Sequence, residues 1–447
     1  MATSAADLLF RHPARAVVIG FALMVAAGTA GLTLPVATTS GASAGWVTAL
    51  FTATSAVCVT GLVTVDTDAH WSVSGEVLIT LLIQAGGLGI MTLATLLTLT
   101  VSRRLGLRTK LAAQAETKTL TMTSLPHIVR NIVLFSLTCE ALAAAVLTSR
   151  FILGYGQPPG RALYLGVFHA VSAFNNAGFA LWPDNLMRFA GDPWICLTIA
   201  AASIVGGLGF PVIFELLRGR RCRHWTMLTR ITVAATGILL AAGTVAFLAA
   251  EWDNPKTLGP LDDGGKLLAA LFTAVMPRTA GFNSLDISQM THSSWLATDV
   301  LMFIGGGSAG TAGGIKVTTF AMLAFIVWTQ FRGETHVNIG YRRLPADTQR
   351  QAVVITMLSG GLVAAATYTL LLLSPHPLDQ ALFETVSAFA TVGLSTGITA
   401  DLPAAGQLLL VALMFAGRVG PLTLGSALAL KTRARRYDLP EEQVIVG

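Results

Sequence analysis

Charged side chains are scarce in this chain. Asp, Glu, Lys and Arg make up 12% of its 447 residues, about half of the ~25% that soluble globular domains carry. The mean hydropathy is +0.67, and 53% of the residues are hydrophobic. This composition excludes a soluble globular protein and predicts one that is embedded in a bilayer.

The residues that enzymes and metal sites need are also few. The four cysteines, Cys58, Cys139, Cys196 and Cys222, form no Cys-x-x-Cys pair and have no histidine at zinc-ligand spacing. Glu140 is almost alone as an acidic residue within the apolar segments, where a membrane-embedded enzyme would cluster His, Asp or Glu. No basic patch interleaves with aromatic residues, so the pI of 9.4 does not indicate nucleic-acid binding. We therefore expect no enzyme, no cofactor bound by this chain and no nucleic-acid partner.

Long apolar runs dominate the sequence, and several reach the roughly 20 residues that cross a bilayer. We predict eight spans in four pairs: Ala16–Thr33, Gly75–Val101, Ile128–Leu153, Trp194–Leu217, Ile231–Ala250, Trp295–Trp328, Ala352–Leu373 and Gln407–Leu430. The first is interpreted as a retained span, because no small-residue cleavage site follows at the distance typical of a signal peptide. The predicted fold class is an all-α polytopic membrane protein.

Lys and Arg are distributed unevenly between the loops. Most of the 29 Lys and Arg residues fall on one side of the eight predicted spans, while Arg278, Lys316 and Arg418 fall at membrane depth. Because Lys and Arg accumulate on the cytoplasmic side of bilayer proteins, we expect both termini in the cytoplasm.

A short apolar segment that runs into a polar turn and a glycine occurs four times. The glycines are Gly61, Gly178, Gly281 and Gly393, and they follow Trp46–Val57, Leu163–Phe174, Lys266–Val275 and Leu378–Phe389, which are too short to span. Irregular backbone at membrane depth is tolerated only where protein buries it or it lines water. Four turns that converge on one axis meet both conditions, so we predict a single pseudo-four-fold pore. The third repeat is one residue shorter between Phe272 and its glycine than the others.

Backbone carbonyl groups of these turns are the expected cation ligands. They replace the hydration shell of an ion without a fixed negative charge, and the C-terminal ends of the short helices favour a cation. The fourth turn, Thr391-Val-Gly-Leu394, differs by one residue from the Thr-Val-Gly-Tyr of potassium-channel filters. The predicted ligands are Val59, Thr60 and Gly61; Asn176, Ala177 and Gly178; Thr279, Ala280 and Gly281; and Thr391, Val392 and Gly393.

Glycines also mark the second spanning helix of each repeat. Gly86–Gly89 and Gly206–Gly209 favour tight helix packing, although a break is the alternative. Gly305–Gly314 contains six glycines in ten residues, and at ~1 kcal/mol per glycine a regular helix is too costly there. We predict an intramembrane loop below the turns. A phosphate-binding loop is the competing interpretation, but the Gly-Lys-Ser/Thr ending is missing.

The basic residues at membrane depth have open alternatives. Arg418 is expected to face a cavity, where its charge would be a barrier to cations, or else to be bonded to backbone carbonyl groups. Lys316 either anchors the loop or extends to the inner interface. Arg278 either tunes the outer mouth of the pore or pairs with a carboxylate, for which Glu384 and Asp286 are the candidates.

Other polar residues have simpler explanations. We expect Glu140 to form a hydrogen bond to a neighbouring repeat, and His169 to be structural. Acidic residues of the outer loops, among them Asp66 and Asp184, either raise the cation concentration near the pore mouth or are ordinary solvated residues.

Together these features resemble the Ktr/Trk/HKT family of potassium transporters, most closely the membrane subunit of the bacterial Ktr system. The resemblance covers essentially the whole chain, and the first repeat begins almost at once, as in Ktr subunits. Its most specific pieces are Cys58-Val-Thr-Gly-Leu, Asn175-Asn-Ala-Gly-Phe, Pro277-Arg-Thr-Ala-Gly-Phe-Asn283, Thr391-Val-Gly-Leu-Ser-Thr-Gly397, Gly305–Lys316 and Gly417-Arg-Val-Gly420.

The resemblance implies potassium uptake or symport across the bacterial plasma membrane by a homodimer with one pore per subunit. It also implies a cytoplasmic ring of regulatory subunits that bind the nucleotide, and it leaves sodium open as an activator. It assigns the gate to the intramembrane loop and one arginine: Gly305, Gly306, Gly307, Ser308, Gly310, Gly313, Gly314, Lys316 and Arg418.

The repeats are predicted at residues 12–110, 125–222, 228–335 and 349–436, with the gating loop at 305–314 and a cytoplasmic tail at 437–447. One alternative is a secondary transporter for a solute, a class that usually has two repeats. Another is a sodium-permeable relative. The family resemblance associates serine at the first filter glycine with sodium permeation, and the intact Gly61 favours potassium.

Overall fold

The computed structural model describes residues 13–104, 125–219, 225–339 and 342–420, and this part of the chain is almost entirely helical. Its helices are α1 Pro13–Leu32, α2 Trp46–Val57, α3 Thr67–His70, α4 Val73–Arg104, α5 Leu125–Tyr155, α6 Pro159–Phe174, α7 Pro193–Leu208, α8 Phe210–Leu217, α9 Met227–Glu251, α10 Asp263–Val275, α11 His292–Ile304, α12 Val317–Phe331, α13 Ala346–Leu373, α14 Leu378–Ala390 and α15 Ala404–Val419. Strands β1 Asn338–Ile339 and β2 Arg342–Arg343 pair as an antiparallel hairpin after α12.

Four successive segments have the same element order: a first helix, a short helix, a turn ending in glycine, and a second helix. The first helices are α1, α5, α9 and α13, the short helices are α2, α6, α10 and α14, and the second helices are α4, α7 with α8, α11 with α12, and α15. The short helices α2, α6 and α10 end at the residues predicted from the sequence, and α14 continues one residue further.

Several helices have the length and composition of membrane spans. In the described ranges, α5, α9 and α13 could each cross a membrane, and α7 with α8 would make a fourth crossing as one bent unit. Apolar side chains lie exposed along them, including Leu153 at 85% and Leu142 at 64%. Such exposure is expected where a helix faces lipid, because lipid tails are as apolar as leucine.

Packing between neighbouring segments closes into a ring. The second helix of each segment contacts the short helix of the next: α4 contacts α6, α7 contacts α10, α11 contacts α14, and α15 contacts α2. Because the last of these contacts returns to the first short helix, the four turns are held around a common centre.

Glycine permits the close approach of each second helix to its own short helix. A methyl group added at Gly86 would overlap the carbonyl oxygen of Val57, and one at Gly206 would overlap that of Phe174. The tight packing predicted for the first two repeats is therefore confirmed at these positions.

Two second helices are interrupted within the membrane-depth region. The predicted loop at Gly305–Gly314 is confirmed, since α11 ends at Ile304 and α12 begins at Val317. The predicted span Trp194–Leu217 is broken: α7 and α8 meet at Gly209 with a bend of 107°, so a break, the alternative for Gly206–Gly209, is present there. The last predicted span runs to Leu430 and the tail to 447, so their ends lie outside the described residues.

Candidate ion-conduction pathway

The first residue and the glycine of every turn have left-handed backbone. The first residues have φ of 54° at Val59, 61° at Asn176, 72° at Thr279 and 51° at Thr391, and the four glycines lie between 71° and 98°. Positive φ is an outlier for β-branched residues and costs ~1–3 kcal/mol at each position. The middle residues Thr60, Ala177, Ala280 and Val392 are not among the residues with positive φ, so the sign of φ changes twice within each turn.

The four turns contact one another in a closed cycle. At each turn glycine, the space that a side chain would occupy is filled by backbone of the next turn. The pairs are Gly61 with Ala177, Gly178 with Ala280 and Gly281, Gly281 with Val392, and Gly393 with Thr60. No larger residue fits at these positions unless the backbone of the next turn moves, so the contacts between the turns require glycine at all four positions.

Serine side chains brace three of the turns. Ser55 Oγ accepts a hydrogen bond from the Gly61 N–H at 3.0 Å, and Ser387 Oγ accepts one from the Gly393 N–H at 3.2 Å. Ser172, at the same position in the second repeat, donates instead to a carbonyl oxygen just beyond the turn at 2.8 Å. The shorter third repeat lacks a serine there.

Arg278 fixes the third turn in another way. Its Nη2 donates to Thr236 Oγ1 at 3.0 Å, and its Nε approaches the Gly305 carbonyl oxygen at 3.5 Å. The predicted pairing with Glu384 or Asp286 is wrong: in the described part of the chain the hydrogen-bond partners of Arg278 are Thr236 and Gly305, and the two carboxylates accept hydrogen bonds from residues near them in the sequence. The guanidinium instead lines a cavity of about 20 Å³ at the C-terminal ends of α7 and α10. The partial negative charge of helix C-termini offsets its positive charge.

A vestibule of about 330 Å³ opens beside the ring and is lined by three of the turn glycines and the loops that follow them. Asp66 lines it and caps α3 by accepting from two backbone N–H groups. Burial disfavours the charged form of Asp184, but hydrogen bonds from Arg188 outweigh this and hold its pKa below its usual range. Both carboxylates therefore have structural partners.

Below the turns, the loop between α11 and α12 lies against two other repeats. Its Gly307 N–H donates to the Gly207 carbonyl oxygen at 2.8 Å. A methyl group at Gly313 would overlap the Ala390 carbonyl oxygen and the Thr391 hydroxyl group. The loop is therefore packed directly under the fourth turn.

Two basic side chains hold consecutive carbonyl groups of this loop. Arg418 Nη1 donates to the Thr311 carbonyl oxygen, and Lys316 Nζ donates to that of Ala312. Arg418 Nη2 also reaches the Gly86 carbonyl oxygen at 3.4 Å. Of the two roles open for Lys316, bonding within the loop is the one observed. Arg418 is bonded to backbone carbonyl groups and touches the loop at the same time.

A polar bridge joins the second turn to two helices. Asn175 Nδ2 donates to Gln84 Oε1 at 2.9 Å and to Glu140 Oε1 at 3.1 Å. The hydrogen bond expected for Glu140 is present, but its donor Asn175 lies in the same repeat. The neighbouring first repeat is reached through Gln84, which accepts a hydrogen bond from the same Asn175 side chain. His169 bonds to backbone on both ring nitrogens, which agrees with a structural role.

A family model described as "Cation transport protein" (TrkH) matches residues 11–432 of this chain. The chain belongs to the TrkH family. The expected resemblance is thus confirmed, and with it a multi-pass membrane protein of a transporter family.

Several relatives match almost end to end. Ktr system potassium uptake protein B of Bacillus subtilis is 40% identical, covering 97% of each chain. The protein of the same name from Vibrio alginolyticus is 42% identical over 93% of this chain and 91% of its own. Potassium/sodium uptake protein NtpJ of Enterococcus hirae is 34% identical over 97% of each chain.

A solved structure shares the fold of this TrkH-family chain. The crystal structure of the potassium transporter TrkH from Vibrio parahaemolyticus matches with a TM-score of 0.73, at 16% identity. The match covers 93% of this chain and 84% of that one.

The sequence did not predict that the second repeat provides a contact surface for the loop of the third repeat. Gly86–Gly89 and Gly206–Gly209 have the same residues, Gly-Gly-Leu-Gly, so both were assigned to packing. The available signal was Pro211, since proline inside a helix removes a hydrogen bond and clashes with the preceding turn.

Proposed function

We propose that this chain is the pore-forming subunit of a bacterial potassium uptake system, with four repeats of first helix, pore helix and second helix around one pseudo-four-fold pore. The closed cycle of turn contacts carries this proposal. A cycle of four left-handed turns gives a narrow centre surrounded by backbone carbonyl groups, and such rings replace the hydration shell of potassium. The names of the Ktr relatives support potassium as the transported ion.

The proposed ion ligands are the carbonyl groups of the three residues in each turn: Val59–Gly61, Asn176–Gly178, Thr279–Gly281 and Thr391–Gly393. The side chains of the first residues differ between turns, so the symmetry is approximate. Gly61 is intact, which supports potassium over sodium. Sodium permeation is the second candidate, because one relative is named as a potassium/sodium uptake protein.

The proposed gate is the loop from Gly305 to Gly314 together with Lys316 and Arg418. The loop lies under the fourth turn, and two cationic side chains are bonded to its carbonyl groups. A positive charge at this depth opposes cation passage. Conduction would then require the loop and Arg418 to move apart.

The proposed setting is the bacterial plasma membrane, with both termini cytoplasmic as the distribution of Lys and Arg indicates. We further propose a homodimer whose cytoplasmic face binds a ring of nucleotide-binding regulatory subunits. The name "Ktr system" in the relatives supports a multi-component system. The exposed hairpin that carries Arg343 is our candidate for part of this contact.

Cation flux into liposomes tests the function. Potassium influx and sodium influx are measured for vesicles that contain the purified native protein and for otherwise identical vesicles that contain Gly281→Ser. We expect potassium-selective flux that the substitution abolishes or makes less selective. No cation flux, even with the regulatory partner present, would contradict the proposal and favour a solute transporter.

A further inference from the structure

The second helix of the second repeat is broken where it meets the gating loop. Helices α7 and α8 are separated only by Gly209, which has φ 93° and ψ 145°. The corresponding helix of the first repeat, α4, runs through its own Gly-Gly-Leu-Gly without a break. Two residues after this motif, the first repeat has Met91 and the second has Pro211.

Proline accounts for the break. In a continuous helix the N–H of residue 211 would donate to the carbonyl oxygen of Gly207, four residues earlier. Proline has no N–H, and its ring would clash with that same carbonyl group. The Gly207 carbonyl oxygen therefore has no donor available from its own helix.

The gating loop supplies the missing partners. Gly307 N–H donates to the Gly207 carbonyl oxygen at 2.8 Å, and Thr311 N–H donates to that of Gly206 at 3.2 Å. In return, Phe210 N–H donates to the Ala309 carbonyl oxygen at 3.4 Å. Three backbone hydrogen bonds thus join the broken helix end to the loop.

Glycine on both sides makes this contact close. A methyl group at Gly209 would overlap the Ser308 carbonyl oxygen, and one at Gly307 would overlap that of Leu208. The two backbones meet without side chains between them. The contact is made at the break itself, where Gly209 has φ 93°.

We propose that the break between α7 and α8 is the seat of the gating loop, and that Pro211 holds the gate closed by keeping the Gly207 carbonyl group available to it. This inference rests on the proposed function, in which the loop blocks the pathway. Opening then requires the loop to break two sets of contacts: the hydrogen bonds to the second repeat and the hydrogen bond from Arg418.

Replacing Pro211 removes the reason for the break. Pro211→Ala supplies an N–H that competes with Gly307 for the Gly207 carbonyl oxygen and permits a straighter helix. We expect about fivefold faster potassium flux without the regulatory partner, the size of one net backbone hydrogen bond. Pro193→Ala is the matched control, because Pro193 is the first residue of α7, where no N–H is needed.

A thiol measurement separates this inference from the proposed function. Ser308→Cys is introduced with the four native cysteines replaced, and its reaction rate with a charged methanethiosulfonate reagent is measured with and without Pro211→Ala. Faster reaction and faster flux with Pro211→Ala, but not with Pro193→Ala, would support the seat. An unchanged reaction rate and unchanged flux would overturn it, while potassium flux through the native protein would keep the proposed function intact. If neither the native protein nor any variant conducts, the proposed function fails. The reaction rate of the thiol at position 308 then decides by itself whether the loop is seated on α7.

Discussion

Arg418 and Thr311 are 107 residues apart in the chain, yet the Arg418 guanidinium donates a hydrogen bond to the Thr311 carbonyl oxygen. The same side chain reaches the Gly86 carbonyl oxygen at 3.4 Å. One residue of the fourth repeat therefore joins the loop of the third repeat to the second helix of the first. Hydrogen bonds from charged donors contribute ~1.5–3 kcal/mol each, so the position of the loop depends strongly on this contact.

Replacement of Arg418 by glutamine is expected to open the pathway. Arg418→Gln removes the charged donor and the positive charge of the proposed gate, and we predict roughly tenfold faster potassium flux without the partner. Arg418→Lys keeps the charge and one donor, so its increase is expected to be smaller. The measurement is potassium uptake into liposomes, and a slower or unchanged rate for Arg418→Gln would argue against the gate.

Substitution of two glycines with the same φ distinguishes the effect of backbone strain from the effect of close contact between the turns. Gly393 and Gly397 both have φ 98°, but only Gly393 lies against a neighbouring turn, at the Thr60 carbonyl oxygen. We predict that Gly393→Ala abolishes potassium flux or its selectivity, whereas Gly397→Ala conducts and keeps potassium selectivity. Flux and the potassium-to-sodium ratio are measured in liposomes for both. Equal effects would mean that backbone strain, and not the ring contact, is what matters.

The third turn is expected to depend on Arg278 as the other turns depend on serine. Arg278→Gln removes the bond to Thr236 and the approach to Gly305. We predict that the potassium-to-sodium flux ratio falls severalfold, because the third turn loses its side-chain support. Ser55→Ala, which removes one neutral hydrogen bond at the first turn, serves as comparison and should have a smaller effect. If Arg278→Gln lowers only thermal stability and leaves the ratio unchanged, Arg278 does not position the turn.

Glu251 is predicted to stabilise the third repeat without affecting conduction. Its fully buried carboxylate accepts hydrogen bonds from Thr257, Thr291, Ser294 and Asn254, which join the end of α9 to the start of α11. Glu251→Ala leaves these donors unsatisfied, at a cost of about 3 kcal/mol. Thermal unfolding in detergent should show a lower Tm for Glu251→Ala, while the Tm of the exposed control Glu334→Ala should be unchanged. A large loss of selectivity at unchanged Tm would be inconsistent with this role.

The hairpin after α12 should contribute to binding of the regulatory subunit. Arg342 and Arg343 form β2 of this hairpin. Neutralising both with glutamine is predicted to weaken co-purification with the partner severalfold, because two charged contacts are lost. Arg161→Gln, on the face predicted to be extracellular, is the control. Full co-purification of the doubly substituted protein would exclude the hairpin from the interface.

The ends of the short helices could be predicted to within one residue and the loop to within two, because their signals are local, whereas α6 begins four residues and α10 three residues before the predicted starts. Trp46–Val57 is too short to span and ends at a glycine turn, and six glycines between 305 and 314 cannot form a helix. Such features depend on the backbone of the segment itself, so no knowledge of its neighbours is required.

Partners across repeats could not be predicted in the same way. Arg278 was expected to find a carboxylate, yet it bonds to a hydroxyl and a carbonyl group where helix ends offset its charge. Glu140 was correctly expected to be hydrogen-bonded, but the donor Asn175 became apparent only when the helices were assembled. These choices depend on which helix ends meet, and that is set by packing between segments far apart in sequence.

The four turns are proposed to enclose one cation site, and anomalous X-ray scattering from crystals in which thallium replaces potassium locates such a site. We expect anomalous density at the centre of the ring, within coordination distance of carbonyl oxygens from all four turns. Anomalous density confined to sites away from the ring, in crystals that bind thallium, would contradict it.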